Sequence, residues 1–192
     1  MKHFEKELPA GYGEAYTIDA ADKKVGLYLN LAAGAVILVL VAAAALIIRP
    51  SISFGSGSPW RLIILGLGMV VYMVLHELTH GAAYKLLTGQ KLTFGLTATV
   101  AYCGVPDIYV YRKASMISLL APFVVFTVVF GALTLALRAP LDKFVAAVAL
   151  ALHVGGCAGD LYDTGLYLFR FRDPRTLMRD TGPKQTFYLP EK

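Results

Sequence analysis

The sequence predicts an all-α polytopic membrane protein: a four-transmembrane-helix bundle with a short β-hairpin between helices 2 and 3. Three observations predict it. Hydrophobic residues make up 57% of the 192 residues and charged residues only 16%, against about 45–50% and about 25% in ordinary soluble domains. Four apolar stretches each reach the roughly 20 residues that a bilayer crossing needs. Lys and Arg are sorted to one side of those stretches. The same composition excludes a disordered chain, and two cysteines, Cys103 and Cys157, are too few for a disulfide framework or a four-cysteine zinc finger.

The first stretch, about 25–48, is almost pure Ala, Val, Leu and Ile. It follows a polar segment carrying Glu5, Glu7, Glu14, Asp19 and Asp22, and it exceeds the roughly 7–15 residues of a signal-peptide core, so it is expected to be retained. The second stretch covers about 60–84, the third about 115–137 and the fourth about 143–169, followed by a polar tail at 170–192. Together they form one expected membrane-embedded domain over 1–192. In the tail, Asp173-Pro174 could cap and open a short helix.

Charge sets the expected orientation. Lys2, Lys6, Lys23 and Lys24 precede the first stretch, and Lys85, Lys91, Arg112 and Lys113 lie between the second and third. Arg170, Arg172, Arg175, Arg179, Lys184 and Lys192 follow the fourth, while the two opposite loops hold only Arg49, Arg61, Arg138 and Lys143. The positive-inside rule then places both termini in the cytoplasm. The net charge of +5 is therefore a topology signal with a possible anionic-lipid contact, and nucleic acid is not expected as a partner.

Between the second and third stretches, Leu92–Val100 and Ile108–Tyr111 are rich in β-branched and aromatic residues, with turn formers in Cys103-Gly104-Val105-Pro106-Asp107. This pattern predicts a hairpin. An open sheet edge is not tolerated in hydrocarbon, so the hairpin should lie at the membrane surface or inside protein. It could hold an extended substrate by strand addition, with Thr97 and Thr99 as candidate substrate-binding residues, or simply cap the bundle.

His76-Glu77-Leu78-Thr79-His80 carries the chemistry. Residues four apart share a helix face, so both imidazoles can bind one zinc ion, and Glu77 can act as general base toward a water that the metal activates. Glu77 is the only Glu between Glu14 and Glu191. Ionisable groups inside a membrane are functional-site candidates by default.

A catalytic zinc needs a third protein ligand and an open position. The fourth stretch offers Asp160, Asp163 and His153. At about 1.5 Å per residue from Arg61, His76 lies about 22 Å and His80 about 28 Å into the second span. Counted from Lys143, Asp160 lies about 25 Å in, His153 about 15 Å and Asp163 about 30 Å. Depth favours Asp160, with Asp163 and His153 as alternative ligands or supporting groups. Gly155 and Gly159, at small-xxx-small spacing, would let helices approach closely beside it, and Cys157 is expected to pack.

With Leu8-Pro9-Ala10-Gly11-Tyr12, His76-Glu77-Leu78-Thr79-His80-Gly81 and Gly159-Asp160-Leu161, the chain resembles the small bacterial putative zincin peptidase family over nearly its full length. It is similar, more distantly, to the site-2-protease class of intramembrane zinc metalloproteases. It departs from that class at 156–161, where the Pro and the Asp-Gly of their third-ligand helix are missing. The resemblance implies a protease-like core acting on a membrane-protein or peptide substrate, in the bacterial inner membrane. Two other expectations stand beside it: a catalytically silent, metal-binding regulatory or partner-binding membrane protein, and a small transporter using the buried ionisable groups as an ion path.

Overall fold

In a computed structural model, residues 2–51, 58–96 and 101–191 are described. The order of elements is β1 (Phe4–Glu5), β2 (Tyr12–Asp19), α1 (Lys23–Ile48), α2 (Ser58–Thr88), β3 (Thr93–Leu96), β4 (Ala101–Gly104), β5 (Tyr109–Tyr111), α3 (Arg112–Ala136), α4 (Pro140–Gly156), α5 (Ala158–Phe169), β6 (Leu177–Asp180) and β7 (Lys184–Pro190). The expected all-α bundle is therefore corrected. The fold is mixed α/β, with a five-stranded antiparallel sheet in the order β1-β5-β6-β7-β2 and a two-stranded sheet of β3 and β4. Four strands of the larger sheet come from the terminal segments, whose short polar-apolar alternations become stable only when paired across most of the chain: Tyr12 opposes Pro190 and Asp19 opposes Lys184.

The expected hairpin exists with different partners. Thr93–Leu96 pairs with Ala101–Gly104, while Tyr109–Tyr111 leaves them to join the larger sheet between β1 and β6. Thr97 and Thr99 lie outside the described residues. Asp173-Pro174 opens a turn instead of a helix: the Asp173 carboxylate accepts from the Arg175 backbone N–H at 2.8 Å, and its carbonyl accepts from Thr176 N–H at 3.0 Å. An Asp side chain that captures its own backbone in this way competes with helix formation.

Three helices, α1, α2 from Pro59, and α3, are long and apolar enough to cross a membrane. The fourth apolar stretch is not one continuous helix. It breaks at Cys157 into α4 and α5, which together could serve as one further, broken span. The break follows Gly155-Gly156, a pair of poor helix formers, and Cys157 N–H turns back onto the carbonyl of His153 at 3.1 Å.

The chain divides into two compact units. The first comprises Met1–Leu29, Leu75–Pro122 and Gly159–Lys192; the second comprises Asn30–Val74 and Phe123–Ala158. Every strand belongs to the first unit. One cluster of its core joins Ile18, Leu119, Tyr167, Phe171, Met178 and Phe187, with Phe187 stacked on Phe171 and set edge-on to Tyr167. A second joins Tyr84, Val105, Ile108, Val110 and Ala114.

The second unit is helical. Arg61 at the start of α2 forms an ion pair with Asp142 at the start of α4. His153 is fully buried among the rings of Tyr72, Phe123, Phe126 and Phe130. Its Nε2 lies 3.2 Å from the Phe123 carbonyl and 3.1 Å from the Thr127 hydroxyl. A carbonyl only accepts, so Nε2 carries the hydrogen and Nδ1 accepts from the Tyr72 hydroxyl at 2.7 Å. Cys157 Sγ lies 3.7 Å from the same Nδ1.

Helix α1 meets α4 at Gly155. A Cβ there would lie 2.4 Å from Ile37 Cγ1 and 3.0 Å from the Ala33 backbone oxygen. Only a residue without a side chain lets the backbones approach so closely. Gly155→Val should therefore cost about 1–3 kcal/mol by overpacking. Thermal unfolding of the detergent-solubilised protein checks this, and an unchanged midpoint would mean that α1 gives way freely.

Candidate metal centre

Helix α2 continues through residue 88 without interruption, so His76 and His80 stand on one face, one turn apart. Both are buried. Their Nε2 atoms lie 3.2 Å from each other. Asp160, in the first turn of α5, brings one carboxylate oxygen to each: Oδ2 is 3.3 Å from His76 Nε2, and Oδ1 is 3.3 Å from His80 Nε2. The two ring nitrogens and the two carboxylate oxygens thus form a compact group, in which one ligand atom from each residue lies within 4.8 Å of the others.

Those spacings fit zinc. Ligand bonds of about 2.0 Å in a tetrahedron put neighbouring donors about 3.3 Å apart. The donor chemistry agrees. His80 Nδ1 lies 2.8 Å from the Ser118 carbonyl. Since the carbonyl can only accept, Nδ1 carries a hydrogen, which leaves Nε2, facing His76 and Asp160, as the ligand atom this ring can offer. Two imidazoles and a carboxylate converging in a buried place can hold a cation among them. Three protein ligands also leave the fourth position that catalytic sites require.

The other sequence candidates sit as follows. Glu77, next to His76, is partly buried on the same helix. Asp163 lies one turn beyond Asp160 and is buried; its Oδ1 has no hydrogen-bond partner among the described residues. His153 has both ring nitrogens engaged inside its own unit by Tyr72, Thr127 and Phe123.

Two groups supporting α2 were not visible in the sequence. Tyr84, one turn after His80 on the same face, donates its hydroxyl to Asp180 Oδ2 at 2.8 Å. Asp180 Oδ1 accepts from the Gly182 backbone N–H at 2.9 Å and from the Gln185 side-chain amide at 3.3 Å. The Asp180 carbonyl accepts from Val105 N–H at 2.9 Å, and Tyr102 on β4 packs against Gly182 so closely that a Cβ there would meet its ring at 2.1 Å. Gly182 has φ +101°, which suits glycine on its own account. The β6–β7 turn therefore braces both the end of α2 and the β3–β4 hairpin. On its other side the hairpin touches α2: a Cβ at Gly81 would lie 2.8 Å from the Phe94 ring. The spacing from His80 to Tyr84 was the one available signal; a partner almost a hundred residues away leaves none.

Asp180 is almost fully buried, and burial raises its carboxyl from the ordinary 3.8 to about 6, against the lowering effect of its hydrogen-bond donors. The unfolded chain then loses this proton before the folded chain does. Stability contributed by this group is complete below about pH 4 and is lost as pH rises to about 6 and beyond, by about 3 kcal/mol for a shift of about two units. Asp180→Asn should remove that slope. Thermal midpoints of wild type and variant, compared from about pH 4 to about pH 7, should show wild type losing ground to the variant as pH rises; parallel curves would refute the assignment.

No curated protein and no solved structure matches the chain. A family described as "Putative zincin peptidase" matches residues 69–173, which is more than half of the chain and takes in the two histidines, Glu77, Asp160 and Pro122. The zincin description implies zinc, and the group of His76, His80 and Asp160 is a place that can hold it. On its sequence and on the coverage of that match, the chain belongs to the putative zincin peptidase family, a family of metallopeptidase type.

Proposed function

We propose that this protein is an intramembrane zinc metallopeptidase of site-2-protease-like type, hydrolysing peptide bonds of membrane proteins near the cytoplasmic face of the bacterial inner membrane. One observation carries the reading: each of two imidazole nitrogens lies 3.3 Å from an oxygen of the Asp160 carboxylate and 3.2 Å from the other nitrogen, with Glu77 beside the first histidine on the same helix. Three membrane-length helices and the clustering of Lys and Arg on one side support the location and orientation.

His76, His80 and Asp160 would hold the metal. When bound, zinc supplies Lewis acidity, acidifying a water and polarising a carbonyl. Glu77 takes up a proton at its carboxylate and later returns it to the leaving amine. The Ser118 carbonyl keeps the His80 ring from rotating. A helical substrate hides its backbone amides, so it must become extended before cleavage. The outer edge of β3 is unpaired among the described residues and is presented by a hairpin packed on α2 at Gly81. An extended segment could add to that edge.

Metal analysis and activity test separate parts of this reading. His76→Ala, His80→Ala and Asp160→Ala should each lose the roughly one zinc per chain that a mononuclear site holds. Asp163→Ala and His153→Ala should keep it. Glu77→Gln should keep zinc and lower the processing of membrane substrates by about 10²–10⁴-fold. A Glu77→Gln protein that processes substrates like wild type would remove the peptidase reading and leave a metal-holding partner protein. A wild-type protein without zinc would remove both and favour the ion-path reading.

A further inference from the structure

The hydrogen bond that orients His80 depends on a carbonyl inside a helix, where carbonyls are normally occupied. In α3 the N–H of residue 122 would bond the carbonyl of residue 118, four positions earlier. Residue 122 is proline, in the interior of the helix and fully buried. It has no N–H to give, and its ring crowds that same carbonyl. The carbonyl left without its helical donor is the Ser118 carbonyl that accepts from His80 Nδ1 at 2.8 Å.

We infer that Pro122 is a positioning residue for the metal centre: by withholding its N–H it leaves the Ser118 carbonyl to His80, which fixes the Nδ1–H form of that imidazole and aims Nε2 at His76 and Asp160. The inference rests on the proposed zinc site. It also accounts for a proline in the middle of an apolar helix, where it otherwise only weakens the ladder. An alanine at 122 would restore an N–H that competes with His80 for the same oxygen.

The variant Pro122→Ala separates positioning from structure, because the two move in opposite directions. A helix that regains its hydrogen bond should leave the thermal midpoint of the zinc-free protein equal to or above wild type. Zinc affinity, measured by competition with a chelator in detergent micelles, should fall by about tenfold, the lower end of what the loss of a ligand's supporting partner costs. Pro122→Ala binding zinc as tightly as wild type would overturn the inference. A parallel fall of stability and of zinc affinity would also overturn it, since that describes a structural proline. If the variant does not fold, nitrogen NMR of the wild-type zinc-loaded protein decides: His80 should show a slowly exchanging Nδ1–H, and an Nε2–H form would refute the inference. His80→Ala serves as the control. If His80→Ala still binds zinc like wild type, the site itself is wrongly assigned; if it loses zinc while Pro122→Ala does not, only the role of Pro122 falls.

Discussion

Side chains four residues apart on a helix share a face, and α2 uses that constraint twice in succession. His76 and His80 point their Nε2 atoms toward Asp160, and Tyr84 extends the same row to Asp180. One continuous helix thus carries the candidate metal-binding pair and its own anchor. The anchor reaches the β6–β7 turn, and that turn also holds the β3–β4 hairpin through Val105 and Tyr102. Rotation of α2 about its axis would break the Tyr84 hydrogen bond and spread the donor group together. A displacement of about 1 Å at such a site is enough to cost about 100-fold in rate, so an anchor one turn from the ligands has a direct chemical value.

The division of the chain into units separates sheet from helix. All strands fall in the first unit, together with the donor group and the buried polar groups around Asp180. The second unit is helical, and α1 presents long apolar side chains such as Leu38, Val39, Leu46 and Ile47 on its surface. A helix satisfies its backbone internally, whereas an open sheet edge does not, so apolar surroundings admit only the former. Inside the helical unit, His153 is tolerated because Tyr72, Thr127 and the Phe123 carbonyl satisfy both its nitrogens.

The long apolar helices and the pairing of His76 with His80 on one helix face were legible because their signals are local. Apolar runs announce α1, α2 and α3 to within a few residues, and the spacing of His76 and His80 needs no tertiary information. Depth along the spans was a coarse guide, yet it pointed to Asp160, the residue that the fold brings beside both histidines. What stayed hidden is non-local. Tyr12–Asp19 looks polar and unremarkable until Lys184–Pro190 lies beside it. Tyr109–Tyr111 looked like half of a hairpin because its neighbours in sequence were strands too, and only the competition from β1 and β6 takes it away. The break at Cys157 was written in Gly155-Gly156, but an uninterrupted apolar composition masked it.

The pairing of β2 with β7 has a consequence for how the molecule comes into being. Residues near position 15 find their partners only near position 187, so the larger sheet cannot close until residues 184–190 have been made. Apolar helices can enter a membrane one after another as they emerge, each with its backbone already satisfied. The sheet must wait for its last strand, and contacts of such long sequence separation are slow to form. Asp180 belongs to that late-arriving segment and completes the support of α2. The order of synthesis therefore places full organisation of the unit that carries His76, His80 and Asp160 after the making of every helix, so that the helices must form before their own support is complete.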